Sequence, residues 1–310
     1  LLWYTFNVFY NLYTKWTLNV FPAPCTMAAL QIVSGLPYVF ILWALRIRKA
    51  PKVNLSNLKT IFPVAMAHCF SHLGAVVSLC AGAVGFVQII KAAEPLFTAT
   101  LGHVFLGQVM PLPVYLTLLP VVAGVGLASL KEISFSALAM IAAMCSNMCS
   151  GTRSVLGKKI MGTDIGKNMD AGNLYAVMTM MAVFVLFPLA GIVEGGRLAF
   201  LWERAISSGS TGNALRKNIL LSGLFFYMYN EVAFYCLNAI HPLTHGIGNT
   251  IKRIVMIAVS VVAFKHKFTP LGMLGSMMAI GGVMLYSLVK GYYDEKEGVR
   301  NESKNHLIDK

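Results

Sequence analysis

Val121-Val122-Ala123-Gly124-Val125-Gly126-Leu127-Ala128-Ser129 returns, in altered form, as Ala279-Ile280-Gly281-Gly282-Val283-Met284-Leu285-Tyr286-Ser287. Just upstream, Phe105-Leu106-Gly107 through Pro111 is matched by Phe264 through Pro270. The landmarks are 159 residues apart in the upstream stretch and 158 in the downstream one. Both copies lie in long apolar runs, so what repeats is a pair of helices. Gly124 and Gly126 against Gly281 and Gly282 would also suit close helix packing alone.

Outward from this pair, the rest of the chain is just as apolar. Hydrophobic residues make up 57% of 310 positions, charged residues 12%, and the mean hydropathy is +0.68. That exceeds what one soluble core of this length absorbs, and makes lipid the main solvent. A crossing takes roughly 20 apolar residues as a helix, which satisfies its own backbone. Ten such segments are expected: 2–20, 23–45, 60–79, 83–106, 112–130, 136–160, 171–193, 217–239, 243–264 and 270–290.

The offset superimposes the fourth segment on the ninth and the fifth on the tenth. The expected fold is therefore an all-α integral membrane protein with ten transmembrane helices as two five-helix repeats, residues 1–130 and 136–290, followed by a charged soluble tail, 291–310. Five is odd, so the second repeat is inverted relative to the first. Inverted repeats are how many secondary transporters form two access states around one midplane site. The longer connections are Arg46 to Asn57, Met161 to Asp170 and Glu194 to Arg216, the last read as a linker because of Ser207-Ser208-Gly209-Ser210-Thr211-Gly212. An even number of crossings puts both termini on one side, where Lys and Arg number thirteen against seven opposite, which places that side in the compartment of insertion. The chain opens in an apolar stretch at Leu1 and Leu2, so any targeting segment is expected to precede it. Six cysteines, at 25, 69, 80, 145, 149 and 236, have neither zinc nor disulfide spacing and read as buried thiols.

The net charge of +13 would suggest nucleic acid in a soluble protein, but no basic stripe is interleaved with surface aromatics. Where the charges lie is more informative. Lys15, Lys91, Arg153, Lys252 and Arg253 fall inside apolar segments, against only Glu94 and Glu231. A cation at mid-membrane costs roughly 2.5–3.5 kcal/mol on insertion scales. Two carboxylates leave three such charges for water or a bound anion. Lys15, near a segment end, is expected to snorkel to the interface. Lys91 has a structural alternative, pairing with Glu94 at i,i+3.

The 159-residue offset carries Lys91 to Thr250, with Lys252 half a turn further on. Both repeats thus bring a cation to nearly the same depth, and Lys91, Lys252 and Arg253 are expected to converge on a tetrahedral anion such as phosphate. His245, Asn249 and Lys252, at i, i+4 and i+7, form one polar stripe that reads as cavity lining, with Glu94 beside the clamp. His68 and His72 share a helix face, but with no third ligand no metal site is expected, and His72 reads as a polar wall residue. Tyr227, Tyr229 and Asn230 add hydroxyl and amide groups. No HExxH, no Ser/His/Asp set and no acid cluster is present, so neither catalytic residues nor a cofactor are expected.

Trp3-Tyr4 with Asn7 and Asn11, Ile90-Lys91-Ala92 with Glu94-Pro95, Pro242-Leu243-Thr244-His245 with Gly248-Asn249, and Lys252-Arg253 together resemble the plastid triose-phosphate/phosphate translocator family of the drug/metabolite transporter superfamily. The resemblance runs over essentially the whole chain. It implies an obligate antiporter, multi-pass in the plastid (chloroplast) inner envelope membrane, that exchanges triose phosphate or 3-phosphoglycerate for inorganic phosphate, with no nucleic-acid partner. By matching motif it implies Lys91, Lys252 and Arg253 on the phosphoryl group and His72, Arg153 and Tyr229 on the other end of the substrate. Ala75 stands where relatives often have a small hydroxyl residue, which leaves the substrate subclass open among triose phosphate, phosphoenolpyruvate, pentose phosphate and hexose phosphate. The other readings are a nucleotide-sugar carrier, a proton-coupled drug exporter, an anion channel and a membrane enzyme.

Overall fold

The computed structural model describes residues 1–310 except 131–134, 161–162, 164, 240–241, 266–267 and 309–310, and the backbone alone for 237–239, 242–243 and 297–308. The expected motif residues Pro242 and Leu243 and the tail's basic side chains beyond Lys296 therefore lie outside the described side chains. Fourteen α-helices follow in order: α1 (Leu2–Val20), α2 (Pro24–Ser34), α3 (Leu36–Ala44), α4 (Leu55–Ala81), α5 (Val84–Lys91), α6 (Glu94–Leu106), α7 (Leu112–Leu116), α8 (Leu118–Leu130), α9 (Ala137–Ile160), α10 (Ala171–Glu194), α11 (Leu198–Ser207), α12 (Gly212–Ala239), α13 (Pro242–Phe264) and α14 (Pro270–Ile308). Among the described residues there is no strand, only an isolated antiparallel bridge between Lys52 and Lys167 that ties two connections together.

Among the described residues eight helical stretches are long and apolar enough to cross a membrane. Helices α1 and α9 are of similar length but fall short of that apolar measure, because their inward faces are polar. On α1 the buried side includes Asn7, Asn11, Thr14 and Thr17, and on α9 Ser146, Asn147 and Ser150. The outward surface of the bundle is greasy, with Phe184, Ile192 and Val262 each more than 80% exposed. The chain is an integral membrane protein with an all-helical core.

In lipid the hydrophobic effect does not drive helices together, so close van der Waals approach does more of the work. The crossing of α8 and α14 shows how. A Cβ placed on Gly124 would lie 2.3 Å from the Ala279 nitrogen, and one on Gly275 2.4 Å from the Ala128 nitrogen. Gly282 also leaves no room for a Cβ, which would lie 2.8 Å from Val121, whereas Gly126 and Gly281 face open space. Two of the four glycines singled out in the repeat are therefore packing residues and two are not.

Elsewhere α4 packs on α9 and α1 on α12, α2 lies against α10 and α12, α4 against α10, and α5 against α13.

The expected bounds 23–45 and 83–106 hold to within a residue, as Pro24–Ala44 and Val84–Leu106, but other details differ. The segment 23–45 is split at Gly35, where any side chain would collide with the Tyr227 ring at 2.1 Å. The segment 83–106 is split between Lys91 and Glu94. The 194–216 connection is not a flexible linker: it holds a 3-10 turn and α11, whose Ala205 is buried with Phe21, Ala23 and Leu215. The tail is continuous with the last crossing, since α14 runs on to Ile308. All six cysteines are free, but only Cys69 is fully buried and Cys145 faces outward.

Candidate functional site

Pro95 sets the local geometry. It has no amide proton to offer the Lys91 carbonyl four residues earlier, so the helix cannot run through. Instead the Ala92 and Ala93 amides close tighter turns onto the Ile89 and Ile90 carbonyls, each at 3.0 Å, and a new helix starts at Glu94. Lys91 and Glu94 therefore part company, and the i,i+3 pair is not the arrangement found. The Lys91 ammonium donates to Ser146 Oγ at 2.8 Å, while Asn147 of the same helix α9 braces the break by donating to the Ile90 carbonyl at 2.9 Å.

Glu94 turns toward α13. One carboxylate oxygen accepts from Arg253 Nη2 at 2.7 Å, and the other accepts from the Ser150 hydroxyl. Arg253 is only 4% exposed. Its neighbour Lys252, about 100° around the helix, goes elsewhere: its ammonium stands 4.9 Å from the centre of the Trp3 ring and 5.8 Å from that of Tyr229. Among the described residues Lys252 has no ion-pair or hydrogen-bond partner. Trp3 is itself sandwiched, stacking on His245 at 5.0 Å, and both the Trp3 Nε1 and His245 Nε2 atoms are buried without a partner.

Arg153 reaches across to His68, with Nη1 3.0 Å from Nδ1. His72, one turn along α4, lies against Phe226 with centroids 3.9 Å apart. Tyr229 stacks on Tyr10 at 5.4 Å. Lys91, Arg153, Lys252 and Arg253 are all close enough to Glu94 to interact with its charge, as His245 is. Asn249 is half-buried on the same helix as Lys252.

The structure thus brings together four cations and one carboxylate, an excess of three positive charges. The same excess follows from the sequence by a different count, five cations less two carboxylates. Lys15 leaves the tally because it does not snorkel: its ammonium donates to the Leu79 and Gly82 carbonyls, both at 2.8 Å, capping the end of α4. Glu231 leaves it too, because it pairs with Arg48 at 2.6 Å. The two corrections cancel.

Four contributions go unrecognised from the sequence alone: Trp3 as the partner of Lys252, His68 as the partner of Arg153, and Ser146 and Ser150 as partners of Lys91 and Glu94. A faint signal exists for the serines, which sit four residues apart on one face of α9.

The arrangement suits an anion with several oxygens. Lys252 offers three donors beside the Trp3 and Tyr229 rings, and Arg253 has further guanidinium hydrogens beyond the one given to Glu94. Comparison with known proteins agrees with this chemistry. The Triose-phosphate Transporter family matches residues 1–287. The glucose-6-phosphate/phosphate translocator 2 of Arabidopsis thaliana chloroplasts is 39% identical over 93% of this chain and 73% of its own. The chloroplast triose phosphate/phosphate translocator of Brassica oleracea var. botrytis is 37% identical over 96% and 72%. The phosphoenolpyruvate/phosphate translocator 3 of Oryza sativa subsp. japonica is 36% identical over 93% and 72%. With a match that spans nearly its entire length and relatives of this similarity, the chain belongs to the Triose-phosphate Transporter family.

Proposed function

We propose that this protein is an obligate antiporter of the plastid inner envelope that exchanges triose phosphate or 3-phosphoglycerate for inorganic phosphate, through ten crossings arranged as two inverted repeats, 1–130 and 136–290. The observation that carries the exchange is the excess of three positive charges around Glu94. A phosphate dianion removes most of it. An empty carrier that closed would strip water from these cations and supply nothing in return, a cost that buried unpaired charges make prohibitive. Each crossing between the two open states then needs an anion aboard, and net flux becomes exchange.

The inverted architecture is supported by which residues meet. Arg253 and Glu94 are 159 apart, so under the repeat they are the same position in the two halves. Two equivalent positions touch each other only at a two-fold axis. The crossing of α8 and α14 behaves likewise: the offset of 158 takes Gly124 to Gly282 and Val121 to Ala279, and the close approaches are Gly124 with Ala279 and Val121 with Gly282, which exchange under that operation. The packing of α1 on α12 mirrors that of α9 on α4. The charged joint therefore sits where the two halves would pivot.

In this reading Lys91, Lys252 and Arg253 hold the phosphoryl group, and His72, Arg153 and Tyr229 the remainder, with Glu94, His245 and Asn249 around them. Lys252→Gln should abolish exchange of labelled phosphate in proteoliposomes while the variant folds and inserts normally; undiminished exchange would reject the clamp. A larger ester such as hexose phosphate is the second reading. It is favoured by Ala75, one turn from His72 and without a hydroxyl, and by the similarity to a glucose-6-phosphate translocator. A counter-exchange panel of 3-phosphoglycerate, phosphoenolpyruvate, xylulose 5-phosphate and glucose 6-phosphate decides between the two.

A further inference from the structure

Away from the centre, a cavity of about 270 Å³ opens where α6, α7, α9 and α14 meet. It is just short of the roughly 300 Å³ at which ordinary small-molecule pockets begin, a size for a phosphate group and a few carbons. Its wall carries two ammonium groups, Lys158 and Lys290, against one carboxylate, Asp294, with the hydroxyls of Thr98, Ser154 and Tyr293. Among the described residues neither lysine has a salt bridge. Lys290 rests above the Tyr286 ring, 5.9 Å from its centre, which keeps its head in the cavity.

The cavity is in line with the central site. Four-residue spacing stacks Ser146, Ser150, Ser154 and Lys158 along one face of α9. The first bonds Lys91 and the second Glu94; the third donates to the Ser150 carbonyl at 3.0 Å and also lines the cavity, as does Lys158. Opposite them on α6, Thr98 donates to the Glu94 carbonyl at 3.2 Å and reaches the same cavity. A row of hydroxyls thus runs from the clamp to the two lysines. It is tightly closed here, since a Cβ on Gly151 would come within 3.1 Å of the Thr98 nitrogen.

We propose that this cavity is a second anion site, where Lys158 and Lys290 hold a phosphate group outside the central clamp. The group is either that of free phosphate or a phosphate ester, or that of an anionic lipid whose chains lie along the apolar side formed by Val109, Met110 and Val114. The site does not depend on the antiport reading, and its test separates the two.

The test measures binding of inorganic phosphate to the purified full-length protein at low ionic strength, by saturation-transfer phosphorus NMR, in the Arg253→Gln background where the central clamp is disabled. A salt-sensitive phosphate signal should persist there and weaken at least fivefold in Arg253→Gln carrying Lys290→Gln, with Lys158→Gln giving a similar loss and Lys290→Arg restoring it. Repeating this in nanodiscs of phosphatidylcholine with and without phosphatidylglycerol assigns the source: displacement of phosphate by phosphatidylglycerol identifies a lipid headgroup, and indifference to it identifies the free anion. Binding unaltered by both Lys290→Gln and Lys158→Gln would overturn the proposal. Should the antiport reading alone be wrong, Arg253→Gln would leave phosphate binding at its wild-type level while Lys290→Gln still reduced it.

Discussion

Among the described residues two Arg–Glu pairs join distant helices and connections, and they differ less in themselves than in their company. Arg253–Glu94 measures 2.7 Å and Arg48–Glu231 2.6 Å. Both are mostly buried and both join distant parts of the chain. Arg48 and Glu231 neutralise each other, and the guanidinium is wedged over the Tyr235 ring at 5.8 Å and against Gly172. Arg253 and Glu94 are ringed by Lys91, Arg153 and Lys252. A buried ion pair says little about function by itself, since desolvation offsets much of the attraction. The unbalanced charge around it is what leaves room for a ligand.

The sharpest way to break the comparison is to remove the arginine from each pair. Arg253→Gln strands Glu94 beside the phosphate position and takes one donor from the clamp. Losing one partner of a buried pair costs about 3–5 kcal/mol, so phosphate exchange should fall by at least two orders of magnitude in proteoliposomes. Equal loss in Arg48→Gln would mean that the two pairs share one role. Lys91→Met should come next, raising the KM for phosphate by roughly tenfold, since one charge-assisted hydrogen bond is worth about 1.5–3 kcal/mol. Its partner Ser146 is neutral, so no carboxylate is stranded.

Much of this was readable in the residues before any coordinates. The apolar runs that make an all-helical membrane protein are plain in the composition, and five cations against two carboxylates within them are what raise the proposal of an anion site. What escaped is partner choice across the bundle. Glu231 could serve any cation on a neighbouring helix, and nothing in its surroundings along the chain points to Arg48. Ser146 and Ser150 give only the faint signal of their four-residue spacing, because serines inside membrane helices commonly bond their own backbone. Pro95 was visible and its consequence for Lys91 derivable, yet a proline in an apolar segment is tolerated in membranes often enough that the segment still read as continuous. Lys15 misled because snorkelling and capping a neighbouring helix place an ammonium at the same depth; only the position of the Leu79 and Gly82 carbonyls separates them.

Glu94→Gln sharpens the contrast from the other side. It raises the central excess from three charges to four and frees the second face of the Arg253 guanidinium. Phosphate should bind several-fold more tightly and leave more slowly, so KM and maximal exchange rate fall together. If Glu94 merely props α6 against α13, the rate would drop with KM unchanged.

The smallest effect on transport belongs to the peripheral pair, and it makes the strictest test. Glu231→Gln leaves Arg48 partnerless at 13% exposure, close enough to water to be partly resolvated. Thermal stability should therefore drop by several degrees while the KM for phosphate stays within about twofold, because the central excess is untouched by a pair that sums to zero. Combining it with Arg48→Gln removes both charges and should recover part of the lost stability, as expected when the penalty is a stranded charge rather than a missing attraction. A KM that moved with each single change and returned in the double would place Arg48 and Glu231 in electrostatic contact with the clamp, and the division between a structural pair and a functional one would fail.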